Sequence, residues 1–170
     1  PSATAAAKEA NILSPAQQQA LDEVLQGFAA KATVLLPGVT ASGKTELYME
    51  LIHAQLEQGK QVLYLLPEIA LTAQIIARLR ARFGDRVAVF HSRLSQRERT
   101  ELWMQLLREP GARPVVVGAR SALFLPFRHL GLVIVDEEHD PSYKQHDPAP
   151  RYNARDMAIV FGALATCVVV

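Results

Sequence analysis

The residues best suited to phosphate chemistry form a short loop of small side chains, Gly38, Val39, Thr40, Ala41, Ser42, Gly43, Lys44 and Thr45. An apolar run precedes this loop and an amphipathic segment follows it, which is the context of a Walker A sequence. Small residues let the backbone wrap around phosphates, and consecutive N–H groups with a helix N-terminus supply positive potential. Lys44 is expected to reach the β- and γ-phosphates and Thr45 to ligate Mg²⁺. The loop predicts binding of Mg-ATP, and Glu46 completes the nucleotide-binding set.

An acidic cluster follows a second apolar run, and it reads Asp136, Glu137, Glu138 and His139. Asp136 is predicted to hold Mg²⁺, and Glu137 to orient or deprotonate the attacking water. His139 is a candidate for carrying the state of the γ-phosphate to neighbouring DNA-contacting loops. A bare acidic cluster is more often a solvated loop or a helix cap. Together with the phosphate loop, it indicates a Walker B element of the DExH type. Glu138 has no predicted role.

Both clusters need elements that bring distant parts of the chain together. Apolar runs rich in Val and Leu recur at 32–36, 62–66, 87–90, 115–117, 132–135 and 167–170. Their continuous apolar character is expected for parallel strands that are covered on both faces. Amphipathic segments alternate with them, and helices are predicted over 14–27, 44–58, 71–83, 95–108 and 153–164.

Alternating strands and helices at this spacing imply right-handed crossovers and a parallel sheet. We predict an α/β fold, a three-layer RecA-like P-loop NTPase lobe with a central, mostly parallel sheet flanked by helices. Ligands bind beyond the carboxyl ends of the strands in such sheets, so both clusters are expected at one edge. Residues 1–10 lack periodicity and are expected to be a flexible leader or linker. Residues 11–170 are then one ATP-binding lobe.

Composition restricts the class of protein without identifying a partner. The 170 residues are 49% hydrophobic and 21% charged, which is typical of one globular domain. A net charge of +1 is uninformative about nucleic acid, because a DNA site needs only a local basic patch. The arginine-rich stretch 78–99 could be such a patch or a solvated helix face. The single cysteine, Cys167, excludes a disulfide or a cysteine zinc cluster within these residues.

No apolar segment approaches the ~20 residues that span a bilayer, and no signal-peptide core is evident at the start of the sequence. We therefore expect a cytoplasmic, nucleoid-associated protein without a membrane partner.

Longer stretches carry a resemblance to a known family. They are the phosphate loop through Glu46, then 65–74, 118–124 and 136–140, the last continuing into Ser-Tyr-Lys-Gln at 142–145 and Arg-Tyr-Asn-Ala-Arg-Asp at 151–156. Together they resemble the PriA family, the primosomal protein N′ replication-restart helicases of superfamily two, DExH type. The resemblance extends from Leu13 to the last residue, and it matches the first RecA-like lobe of that family.

The resemblance implies roles for residues that would otherwise pass as ordinary. Gln17 matches the glutamine that reads adenine in such helicases, although alone it would be a surface helix residue. Segments 67–74 and 118–124 match motifs that hold single-stranded DNA, and they contain the candidate phosphate contacts Thr72, Arg120 and Ser121. Without the resemblance, Thr72 would be a helix N-terminal residue and Arg120 a loop cation.

The segment 140–156 resembles an aromatic-rich loop that couples DNA binding to hydrolysis. Its candidate residues for DNA binding and coupling, beside His139, combine ring faces with positive charge: Tyr143, Lys144, Arg151 and Tyr152. Ordinary packing is the alternative for the tyrosines, and Arg155 and Asp156 are expected to be structural at a helix start.

The sequence departs from the family at several positions. Ala41 and Ala70 replace glycines, and Asn153 replaces a frequent histidine. If position 41 requires a positive φ, alanine costs roughly 1–2 kcal/mol there. The second lobe with its arginine finger, the zinc-binding region and the N-terminal DNA-binding domain of the family have no counterpart in this sequence.

The resemblance implies an ATP-dependent 3′-to-5′ DNA helicase that remodels stalled forks and restarts replication through primosome assembly. The implied cofactors are ATP and Mg²⁺, with zinc only in regions absent here. The implied partners are single-stranded and forked DNA, primosome and replicative helicase-loading proteins, and single-stranded DNA-binding protein. The lobe alone is expected to bind Mg-ATP and single-stranded DNA but to hydrolyse poorly. One alternative is a nucleotide-regulated, structure-specific DNA-binding scaffold. Another is a different superfamily-two DNA translocase, and the 142–156 loop disfavours this second alternative.

Overall fold

The computed structural model describes residues 13–29, 33–36, 43–165 and 168–169. The predicted leader at 1–10, the loop residues 38–42 and Cys167 lie outside these ranges. The nucleotide-binding predictions for Gly38, Val39, Thr40, Ala41 and Ser42 therefore stay predictions.

The described residues form one sheet of five strands, β1 (Gln61–Leu65), β2 (Val87–Phe90), β3 (Val115–Gly118), β4 (Leu130–Val135) and β5 (Val168–Val169). The order is β2-β3-β1-β4-β5, and neighbouring strands are parallel. Leu65, the last residue of β1, is paired with Gly118 on one side and with Val135 on the other. The predicted parallel sheet is confirmed, and the carboxyl ends of its three central strands lie side by side.

The helices are α1 (Pro15–Ala29), α2 (Lys44–Glu57), α3 (Ala73–Phe83), α4 (Gln96–Arg108) and α5 (Ala154–Ala165). Local signals explain their ends. Ser95 and Glu98 form a reciprocal capping box at the start of α4, and Gly84, with φ 61°, follows the end of α3. The predicted helices are found, and their ends differ from the predicted ones by at most two residues.

The core lies on both faces of the sheet. β1 is buried at every position. Val62 and Tyr64 face a cluster that α1, α2 and α3 cover, and Leu63 and Leu65 face a second cluster that α4 and α5 cover. This arrangement confirms the three layers, and it explains why the strands lack polar–apolar alternation.

The strand predicted at 32–36 is not formed over its described part. Thr33 makes only an isolated bridge and residues 34–36 have no strand pairing. Val34 and Leu36 still pack against the core, whereas Leu35 is 74% exposed. One face of the segment therefore packs against the core and the other is exposed, whereas the strands of the sheet are covered on both faces.

Ion pairs connect the two helices that lead away from the predicted ligand edge. Arg78 on α3 contacts Glu46 on α2, and Arg82 contacts Glu50 at 2.8 Å. The two glutamates are four residues apart on α2 and the two arginines are four residues apart on α3, so the ion pairs lie one helical turn apart.

A membrane span requires both length and apolar character, and none of the helices in the described ranges meets both requirements.

Gly118, at the end of β3, lies where the chain packs too closely for a side chain. A Cβ atom there would lie 2.5 Å from the Phe90 carbonyl oxygen and 2.7 Å from the Ala122 Cβ. The first of these neighbours is backbone, which cannot move aside without disturbing β2.

We expect Gly118→Ala to lower the free energy of unfolding by roughly 1–3 kcal/mol, the usual cost of overpacking. Gly111→Ala is the matched control, because a Cβ at position 111 would meet nothing within 4 Å. Urea unfolding of both variants measures the difference. Equal midpoints for the two variants would contradict the prediction.

Candidate functional site

The start of α2 supplies the described end of the phosphate loop. Gly43 has φ 81° and ψ 17°, a left-handed conformation that favours glycine, and Lys44 is the first residue of the helix. The Gly43 carbonyl accepts from the N–H groups of Glu46 and Leu47, at 3.1 and 3.5 Å. The helix therefore begins with its N-terminal N–H groups next to the loop, as a phosphate site requires.

Gln17 joins α1 to this loop. Its Nε2 donates to the Gly43 carbonyl at 3.3 Å, and its Oε1 accepts from the Ser14 N–H at 2.8 Å. The Gln17 N–H in turn donates to the Ser14 Oγ at 3.3 Å. A Cβ on Gly43 would lie 2.2 Å from Gln17 Nε2, so glycine also makes room for this contact. Reading of adenine by Gln17 stays a prediction, but the residue is more than a surface helix position.

Asp136 is the first residue beyond β4, and hydrogen bonds hold its main chain and its carboxylate. Its N–H donates to the Leu65 carbonyl at 3.1 Å, and its own carbonyl accepts from the Tyr143 hydroxyl at 2.6 Å. The carboxylate accepts from the Tyr64 hydroxyl at Oδ2, 2.9 Å away, and from the Glu137 N–H at Oδ1, 3.0 Å away. Asp136 is thereby fixed in one orientation at the carboxyl edge of the sheet.

The buried tyrosines around Asp136 act as donors. Burial raises the pKa of Tyr64 well above its usual value, and the charge of Asp136 raises it further. The pKa values of Tyr48 and Tyr143 are raised for the same reasons, in the same order. These hydroxyls therefore stay protonated at any physiological pH.

The remaining acidic residues of the cluster differ in their surroundings: Glu137 lies near the surface, and Glu138 is bonded to a helix of the fold. Glu137 has φ 52°, which is unusual for a residue other than glycine and is often found at functional positions. Its Oε2 lies 3.6 Å from Nε2 of the exposed His139. Glu138, for which the sequence predicted no role, accepts from Arg155 of α5 at 2.9 Å, which agrees with the structural interpretation of Arg155.

The oxygen donors of the site fit a magnesium–nucleotide complex. The Thr45 hydroxyl and the Asp136 carboxylate are hard ligands of the kind that Mg²⁺ prefers. Among the described residues, no group of three or more His, Cys, Asp or Glu side chains could hold a metal ion by itself. Mg²⁺ typically keeps several waters and is held by one or two carboxylates together with substrate phosphates, and Asp136 offers one such carboxylate.

The candidate DNA contacts lie at the same edge but differ in their present partners. Thr72 is exposed and caps α3, where its Oγ1 accepts from the Ile75 N–H at 3.4 Å. Arg120 donates to the carbonyls of Ser142 and Lys144, at 3.2 and 2.9 Å. Arg120 thus connects the segment after β3 to the loop after β4.

An open cavity of about 360 Å³ lies beside Arg120. It combines two arginines, one carboxylate, hydroxyls and one aromatic ring, and its lining includes Glu68, Ser92, Arg99, Arg120, Ser121 and Tyr152. Three other arginines of the stretch 78–99, Arg78, Arg82 and Arg97, are ion-paired with glutamates instead.

The loop predicted to offer aromatic faces has one buried and one partly exposed tyrosine. Tyr143 is only 1% exposed, so the interpretation of its ring as a surface for unstacked bases is wrong for this structure, and packing explains it. Tyr152 is partly buried and meets the 43% exposed Phe124 edge to face, with ring centroids 4.9 Å apart. Lys144 and Arg151 are exposed beside them.

Sequence reasoning missed Tyr48 and Tyr64. Both lie in segments that read only as buried helix and strand. A usable signal was present, because a buried tyrosine hydroxyl requires a hydrogen-bond partner, and Tyr64 lies two residues from the end of β1 and thus near Asp136. Phe124 was also missed, since the sequence gives no sign that its ring is exposed.

Comparison with known proteins gives a consistent result. Residues 14–166 match the DEAD/DEAH box helicase family. The chain is 46% identical over 160 residues to the replication restart protein PriA of Chlamydia pneumoniae and 48% identical over 136 residues to that of Bacillus subtilis. These alignments cover 93% and 80% of the chain but 21% and 16% of the relatives, so the chain spans about a fifth of their length.

Solved structures show the same fold at lower identity. RecG bound to a three-way DNA junction superposes with a TM-score of 0.63 at 23% identity, over 94% of this chain and 24% of that one. The restriction-modification enzyme LlaGI, a nuclease-deletion mutant in complex with a DNA substrate mimic, superposes with a TM-score of 0.60 at 18% identity, over 78% and 16%.

Replacing Gln17 tests the link between α1 and the loop. We expect Gln17→Ala to remove contacts worth about 1 kcal/mol and to speed amide exchange at the start of α1 and of α2 roughly fivefold. Hydrogen exchange by mass spectrometry measures this. Gln18→Ala is the control, because the Gln18 side chain donates to Asp22 on the exposed face of α1. Identical exchange in the two variants would show that Gln17 does not hold α1 in place.

Proposed function

This chain belongs to the DEAD/DEAH box helicase family, and we propose that it is the ATP-binding lobe of an ATP-dependent 3′-to-5′ DNA helicase. The setting of Asp136 supports this most directly. A carboxylate fixed at the carboxyl edge of a parallel sheet, beside a helix that begins at Lys44, is the arrangement that nucleotide chemistry needs. The proposal concerns the whole protein, of which this chain would be one lobe.

The roles follow from the chemistry of each side chain. Lys44 and the first turn of α2 would hold the phosphates, together with the loop 38–43. Thr45 and Asp136 would hold Mg²⁺, which neutralises phosphate charge when it is bound. Glu137 would orient the attacking water and accept its proton. Its exposed fraction of 33% leaves the carboxylate accessible to that water.

Contacts between the loops suggest how DNA binding could reach the nucleotide. Arg120 binds the carbonyls on either side of Tyr143, and Tyr143 binds the carbonyl of Asp136. A DNA phosphate that draws Arg120 toward the cavity would release these carbonyls and change the restraint on Asp136. Thr72, Ser121, Lys144, Arg151 and Tyr152 would contact the strand, and His139 would respond to changes at Glu137.

The biological setting is proposed from the relatives. Proteins named for replication restart share 42–51% identity with this chain. We propose that the whole protein remodels stalled forks and restarts replication through primosome assembly, in the cytoplasm and at the nucleoid. Its partners would be single-stranded and forked DNA, replicative helicase-loading proteins and single-stranded DNA-binding protein. The lobe alone would bind Mg-ATP and DNA but hydrolyse slowly, because an arginine from a second lobe can contribute 10³–10⁵ in rate.

A scaffold that binds forked DNA and uses nucleotide only to regulate partner loading is the second candidate. It is kept because the relatives are named for restart rather than for unwinding. The two functions differ in whether DNA changes the rate of ATP hydrolysis.

Turnover by the full-length protein, with and without forked DNA, distinguishes them. We expect strong DNA stimulation, loss of turnover in Lys44→Ala through weaker phosphate binding, and a loss of about 10²-fold or more in Glu137→Gln. Glu138→Gln is the control, since its amide oxygen can still accept from Arg155. A DNA-independent rate that survives both active-site changes would favour the scaffold.

Arg120→Ala tests the coupling contacts. We expect basal turnover to persist while the DNA-stimulated increment falls several-fold, because the loop 142–144 loses its charged donor. Arg128→Ala is the control, because Arg128 precedes β4 at the opposite edge of the sheet. If both variants keep the wild-type response to DNA, Arg120 has no part in coupling.

A further inference from the structure

Two tyrosines that no motif contains lie directly behind Asp136. Tyr64 on β1 is 1% exposed and Tyr48 on α2 is 4% exposed. Their rings meet edge to face, with centroids 5.6 Å apart and planes inclined at 67°. They connect a strand of the central sheet to the helix that follows the phosphate loop.

The hydroxyl of Tyr64 is directed at the carboxylate rather than at the main chain. It donates to Asp136 Oδ2 at 2.9 Å, while the Glu137 N–H donates to Oδ1 at 3.0 Å. With a donor on each oxygen, the carboxylate plane cannot turn freely. Each oxygen keeps a further lone pair with which to accept from a metal-bound water.

Tyr48 connects the two tyrosine rings to α2, the helix that carries Thr45. It follows Thr45 by three residues on α2, so the two side chains share one face of the helix. The ring of Tyr48 therefore links the helix that carries Thr45 to Tyr64, whose hydroxyl binds Asp136.

We infer that Tyr64, whose ring packs edge to face against Tyr48, is a positioning residue that orients the Asp136 carboxylate for the nucleotide's Mg²⁺. This inference rests on the proposed function, because it assigns a role toward the metal of that same site. Partners that orient metal-binding carboxylates typically change metal affinity 10- to 100-fold when they are removed. A tyrosine that only filled the core would change stability and leave metal affinity intact.

Tyr64→Phe in the full-length protein separates these roles, because it keeps the ring against Tyr48 and removes only the hydroxyl. The probe is mant-ADP, titrated once with Mn²⁺ and once with EDTA, and electron paramagnetic resonance follows the bound Mn²⁺. We expect Mn²⁺-dependent affinity to fall about 10-fold or more. Affinity in EDTA is expected to stay at the wild-type value, which also verifies that the variant is folded.

Tyr143→Phe is the matched control. It removes the same atom from another buried ring beside Asp136, but that hydroxyl binds the main-chain carbonyl and not the carboxylate. Its Mn²⁺ affinity should fall by a smaller factor than in Tyr64→Phe, because this variant loses a restraint on the main chain and keeps the donors to both carboxylate oxygens.

The outcomes are distinct. If nucleotide binding by the wild type depends on Mn²⁺ but Tyr64→Phe keeps the wild-type Mn²⁺ affinity, the inference is wrong and the proposed function stands. The same holds for a loss that is equal in Mn²⁺ and in EDTA, or equal in Tyr64→Phe and Tyr143→Phe. Wild-type nucleotide binding that is indifferent to Mn²⁺ overturns the proposed function, and this inference with it.

Discussion

Hydrogen bonds fix Asp136 at the point where the chain leaves the doubly covered sheet. Its N–H extends the pairing with β1 through Leu65, and its carbonyl and carboxylate accept from Tyr143, Tyr64 and the Glu137 N–H. The acid is thus tied to the central strand, to the loop that follows it and, through Tyr64 and Tyr48, to α2. The proposed nucleotide site and the candidate DNA site are therefore both connected to this residue.

Much of the fold could be predicted from the sequence, because burial on both faces leaves a strong pattern. Continuous Val and Leu runs identified β1 through β4, and Ser95, Thr72 and Gly84 marked helix ends through local hydrogen bonds or backbone conformation. The run at 32–36 looked the same but forms no strand over its described part. An apolar run predicts burial, and pairing depends on a neighbour that the run does not contain.

The candidate site was predicted in composition but only partly in geometry. Asp136 and Lys44 follow from motifs whose chemistry dictates both residue type and spacing. The direction of a loop side chain has no comparable signal, which is why Tyr143 was expected at the surface and is buried. Hydrogen-bond partners that are far apart in sequence could not be predicted either. Glu138 and Arg155 form one such pair, and Tyr64 and Asp136 form another.

The stacked ion pairs between α2 and α3 have a mechanical consequence. One such link would act as a pivot, but links one turn apart, at Glu46–Arg78 and Glu50–Arg82, resist both sliding and twisting. The start of α2, which follows the phosphate loop, is thereby tied to α3, which Thr72 caps at its other end. Because the pairs are partly exposed, each contributes little energy, so they couple the motions of the two helices without locking them together.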